Sequence, residues 1–148
     1  MIFNIAFMNT KPLNKRVPDN YLICLNSGCG RAPECIRHFA AENGGDRGGV
    51  LQIVNPALKD CGCPYFKKLL TGMVAYGMSH TFDDVRAKDL PAIRKSLVAH
   101  FGNGSYYRRR NGEVGITPAE QEYIAGAMEA KGYTAPPVFD RYSEEILW

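Results

Sequence analysis

Five cysteines in two groups constrain this chain more than any other feature. Four residues separate Cys24 from Cys29 and five separate Cys29 from Cys35, while Cys61 and Cys63 flank a single glycine. Zinc takes four soft or borderline ligands at the corners of a tetrahedron, and thiolates supply them. Short spacings let one loop deliver two or three ligands with little entropy lost on closure. Asn26-Ser27-Gly28, Gly30 and Gly62 are residues that let the backbone between ligands turn tightly. Pro33 suits a first helical position, and Glu34 to Ala41 reads as a short helix. Cys35 then falls in its first turn, where a helix N-terminus favours negative charge.

Neither group has the C-x2-C pair of zinc ribbons and fingers, and five cysteines exceed four positions. The residues alone therefore leave open which four would ligate. Cys63-Pro64 matches the Cys-Pro step that follows ligands in bacterial ferredoxins, so an iron–sulfur cluster is the alternative to zinc. In the remaining reading no metal is bound and the cysteines are small buried hydrophobes. His38, His80 and His100 have no spacing that sets one beside a cysteine.

Composition sets the compartment in which this cluster is read. The chain has 148 residues, 45% of them hydrophobic and 22% charged, with a formal net charge of +3. That is enough for a real core, too apolar for wholesale disorder, and too weakly basic to demand nucleic acid. The apolar start Met1–Met8 is short, is interrupted by Asn4, and lacks the flanks of a signal peptide. No stretch approaches the roughly 18 apolar residues that span a bilayer. A cytoplasmic protein without membrane contact is expected. Thiols stay reduced there, so clustered cysteines point to metal or catalysis before disulfides.

The expected architecture is α+β and mainly helical, with a loop-rich Cys-cluster half packed on three amphipathic helices and a short basic β-ribbon. Residues 1–17 read as a flexible arm and 18–148 as one domain, divided into a Cys-rich subregion (18–65) and a helical one (66–148). Tyr21–Ile23 and Val50–Val54 read as short strands, separated by the first helix and a glycine-rich loop over 43–49. Phe66, Leu69, Leu70, Met73 and Val74 follow the spacing of one buried helical face. Leu90, Ile93, Leu97 and Phe101 form a second stripe, with Pro91 in the first turn and Gly102 past the end. The third helix starts at Thr117, with Glu120 completing a capping box, and stops at Gly132. Tyr142, Ile146, Leu147 and Trp148 give a last apolar stripe.

Gly102 to Glu113 carries the strongest local charge. Three consecutive arginines, Arg108, Arg109 and Arg110, follow Tyr106 and Tyr107, a combination suited to phosphate contact with base stacking on RNA or DNA. Asn111-Gly112 signals a tight turn, so a two-stranded ribbon is expected. The competing reading sends the tyrosines to the core and pairs the arginines with Asp140, Glu144 and Glu145, leaving a protein partner. Other chemistry is thin. Gly44 to Gly49 lacks the lysine and spacing of a phosphate-binding loop, and there is no G-x-S-x-G or H-E-x-x-H. Asp83-Asp84 suits a helix cap better than an acid–base pair. Binding is expected over catalysis, with a thiol or iron–sulfur redox role through Cys61 and Cys63 as the enzymatic alternative.

These features together resemble a known family. Cys24, Cys29 and Cys35, Asn55-Pro56, Cys63-Pro64-Tyr65-Phe66, Tyr106 to Glu113, Thr117 to Gln121 and a C-terminal aromatic carry the likeness. The family is one of roughly 150-residue uncharacterised proteins of gut Bacteroidales, classed as a domain of unknown function, and the likeness covers about residues 18–148. It implies that Cys24, Cys29, Cys35 and Cys63 are the ligand set, with Cys61 as the spare or alternate. It implies no activity.

Overall fold

A computed structural model describes residues 16–44, 48–58 and 63–148. Cys61, part of the glycine-rich loop and most of the expected N-terminal arm lie outside the described residues. The elements are a 3-10 turn at Ala32–Glu34, then α1 (Ile36–Asn43), β1 (Thr71–Tyr76), α2 (Leu90–Phe101), α3 (Asn103–Arg110), α4 (Pro118–Glu129) and β2 (Arg141–Ile146). The chain forms two compact units: the described residues up to Thr71 with Glu145–Trp148, and Gly72–Glu144. β1 and β2 make a two-stranded sheet. Asp140 N donates to Gly77 O at one end and Leu147 N to Leu70 O at the other, which sets an antiparallel register.

The Gly72–Glu144 unit owes its order to a continuous apolar cluster. Ile93 and Leu97 of α2, Tyr106 of α3, and Ile124 and Met128 of α4 bury their side chains together with Ala75, Met78, Ile116 and Phe139. The stripe over Leu90–Phe101 forms the expected helix, and Gly102 follows it at φ +85°, a conformation that glycine adopts without strain. The capping box also forms: Thr117 Oγ1 accepts from Glu120 N, and the Glu120 carboxylate accepts from Thr117 N at 2.9 Å.

Two expected elements are corrected. Phe66–Val74 is not a helix, because Thr71–Tyr76 is strand β1. A short apolar run satisfies both periods, and Gly72 disfavours the helix. Pairing decides it: β2 lies alongside, and Ala75 exchanges both backbone hydrogen bonds with Ile116. The expected basic ribbon is helix α3. Asn111-Gly112 is its C-terminal stop and not a hairpin turn, with Gly112 at φ +78° just past the last turn. The expected strands at Tyr21–Ile23 and Val50–Val54 reduce to one parallel bridge, Ile23 to Ile53.

Gly77 has a demanding position. Its φ is +79°, and a Cβ there would run into the Asp140 carboxylate. That carboxylate accepts from Ser79 N at 3.1 Å and from Ser79 Oγ at 2.7 Å. Gly77→Ala is expected to destabilise the protein by about 1–3 kcal/mol, read as a lower denaturation midpoint. An unchanged midpoint would mean that the turn relaxes freely.

Candidate functional site

In the Cys-rich unit Ala32, Cys35, Ile36 and Val54 are buried besides one small apolar cluster. Val17, Ile23 and Ala40 form its buried cluster, flanked by Tyr21, Ala41 and Trp148, and the Tyr21 and Trp148 rings meet edge to face at 5.2 Å. Leu25, Val50, Leu51, Leu58 and Tyr65 stay exposed. In this setting the chain builds one small cavity, about 30 Å3, lined by Cys24, Cys29, Cys35 and Cys63. A space of that size holds one water-sized or ion-sized body. Cys24, Cys29 and Cys35 lie within 12 residues of chain, and the fold brings Cys63, 28 residues further on, to the same cavity.

Each thiol has an identifiable support. Cys24 N donates to Arg37 O at 3.0 Å, which ties the first loop to α1. Cys29 sits in the turn before the 3-10 segment, where its carbonyl accepts from Ala32 N. Cys35 is buried and is the N-cap of α1, one position before the expected first turn. It bridges antiparallel to Lys68, and Ile36 N donates to Lys67 O at 2.8 Å. Cys63 opens a turn closed by Phe66 N. All four are free thiols.

Two further residues complete the site. Arg37 donates from Nε to Tyr65 O at 2.7 Å and from Nη1 to Leu22 O at 3.3 Å. One side chain on α1 thereby anchors the loops that carry Cys24 and Cys63. His38 also lines the cavity, with Nδ1 buried and without a hydrogen-bond partner and Nε2 3.3 Å from Glu42 Oε1. An Nε2–H donated to that carboxylate leaves Nδ1 as a lone-pair acceptor, the tautomer that binds metals. The Cys35-x2-His38 spacing, three residues apart on one helical face, is the signal in the sequence that could have found it. Burial pushes the Tyr21 phenol above its ordinary 10.0, against the lowering effect of the Arg37 guanidinium.

Thiols and an imidazole, residue types that ligate zinc where they converge, line this space, and the Glu42 carboxylate lies behind the imidazole. As the side chains stand, no three Cys, His, Asp or Glu groups among the described residues converge closely enough to hold a metal ion. His80 and His100 belong to the other unit. His80 Nδ1 lies 2.8 Å from Asp83 Oδ2, and His100 stacks on Tyr123 at 3.6 Å.

The aromatic–basic segment is split by its helix. Tyr106 is 1% exposed in the core, so its ring is closed to base stacking. Arg109 is 15% exposed and donates to Glu120 Oε1 at 2.8 Å, with its guanidinium 4.9 Å from the Phe101 ring centre. Arg108 lies 3.8 Å from Glu113. The acidic partners are thus Glu113 and Glu120 instead of Asp140, Glu144 and Glu145. Tyr107, Arg108 and Arg110 remain exposed.

Among the described residues no helix is long and apolar enough to cross a membrane. Residues 8–148 match a family model described as Family of unknown function (DUF6078). No curated protein and no solved structure matches the chain.

Proposed function

Because the chain belongs to this family of unknown function, we propose its role from the cysteine cavity: a small cytosolic binding protein whose Cys-rich unit is held folded by one structural zinc ion. Cys24, Cys29, Cys35 and Cys63 would hold the ion, with His38 at the same cavity wall as the alternate donor. The observation that carries the proposal is that four thiols and an imidazole with an unpartnered Nδ1 line one small cavity. The thin apolar cluster of this unit supplies the reason, since metal binding contributes folding free energy directly.

The test is metal content. Purified protein is expected to carry one zinc per chain and to lose ordered structure in the Cys-rich unit on chelation. Protein without stoichiometric zinc, unchanged by chelator, would reject the proposal, and a brown iron-containing protein would replace zinc with an iron–sulfur cluster.

A second reading, contact with RNA or DNA, retains Tyr107, Arg108 and Arg110 because they stay exposed on α3. It requires that Arg108→Ala weaken binding to single-stranded RNA and lower its salt dependence. With Tyr106 and Arg109 absorbed in packing, a metal-stabilised domain that binds a protein or a small ligand is the better-supported form of the proposal.

A further inference from the structure

The Gly72–Glu144 unit contains another cavity, of about 160 Å3, which the zinc reading does not use. Its lining includes Ser79, Phe82, Asp83, Arg94, Tyr106 and Arg110. Arg94 comes from the second turn of α2, and Arg110 is the last residue of α3, one turn beyond Tyr106 on the same face. Among the described residues Arg108 and Arg109 each have a carboxylate partner, whereas Arg94 and Arg110 have none. The Arg94 Nε is moreover buried without a hydrogen-bond partner. A buried donor on a charged group costs stability when left unmade, so an acceptor placed in this cavity would be stabilised there.

We propose that this cavity binds a phosphate group, free or carried by a phosphorylated ligand. Planar guanidinium forks recognise phosphate and carboxylate oxygens in pairs. Two forks match two edges of a tetrahedral dianion, while a carboxylate offers one. The Ser79 hydroxyl proton is committed to Asp140, so the donors left are the two guanidiniums and the Tyr106 hydroxyl. Asp83 is the one carboxylate in the wall. Its Oδ2 lies 2.8 Å from His80 Nδ1, and it sets a repulsion that limits affinity. The proposal is independent of the zinc site, which belongs to the other unit.

Thermal melts of the full chain compare inorganic phosphate with chloride at equal pH and ionic strength, with calorimetry for affinity. Phosphate is expected to raise the Tm saturably. Arg94→Gln and Arg110→Gln should each weaken binding roughly tenfold to a hundredfold. Asp83→Asn, at an exposed position outside the core, should tighten binding by roughly severalfold. Identical melts in phosphate and chloride overturn the proposal. So does a phosphate response that survives Arg110→Gln, or one that Asp83→Asn leaves unchanged; this last variant decides the matter even if an arginine variant does not fold. A single-stranded RNA that competes with phosphate supports the site with a polymer as the source. Competition by ribose 5-phosphate but not by RNA supports it with a small phosphorylated ligand as the source.

Discussion

Cys35→Ser is expected to abolish zinc binding and to unfold the Cys-rich unit while Gly72–Glu144 keeps its fold. The magnitudes explain why. Ordering each backbone residue costs about 1–2 kcal/mol, and burying a large apolar side chain returns only about 1.5–3 kcal/mol. The contacting cluster of Val17, Ile23 and Ala40 is small against the length of loop it must hold. A structural zinc site contributes about 10–16 kcal/mol in zinc-finger peptides, several times what one buried side chain returns. Residue-resolved hydrogen exchange checks this: protection should vanish around Ile23, Ile36 and Val54 and persist around Leu97, Ile116 and Ile124. Uniform protection in the variant would show that the unit folds without metal.

The same measurement sorts the donors. Cys24→Ser, Cys29→Ser and Cys63→Ser should also lose zinc, and Cys61→Ser should retain it. His38→Asn should retain a full zinc load. Loss of zinc in His38→Asn, with one cysteine variant still loaded, would put the imidazole in place of that thiol.

Tyr106→Ala should cost about 3–5 kcal/mol, the range for removing a buried aromatic ring. Tyr106 is packed with Ile93, Leu97, Ile124 and Met128, so the cavity it leaves has walls from both α2 and α4. Its neighbour Tyr107 is 37% exposed, and Tyr107→Ala should change stability by no more than about 0.5 kcal/mol. Denaturant midpoints of the two variants give the answer. Equal, small effects would return both tyrosines to the surface and revive stacking on bases. A large effect at Tyr106 alone places one ring in the core and leaves one to solvent.

Local chemistry was well read where the signal is local. The α2 stripe with Pro91 and Gly102, and the Thr117–Glu120 capping box, depend on residues three or four apart, so periodicity and capping suffice. The strand at Thr71–Tyr76 was not legible, because its partners are Ile116 and β2, far along the chain. Asn111-Gly112 serves a hairpin and a helix stop equally well, and only the helix before it decides between them.

Residue types and spacing suffice to make four or five thiols available, to let their loops turn at glycines, and to set a basic stretch after α2. The tertiary structure alone decided that Cys24, Cys29, Cys35 and Cys63 share one wall, that Arg37 anchors two of their loops, and that His38 joins them. It also turned Arg109 toward Glu120 and left Arg94 and Arg110 without an ion-pair partner among the described residues. The physical reason is one of range. Propensity and spacing act over a turn or two of chain, whereas the direction in which a side chain points across a cavity depends on packing between segments that no local pattern records.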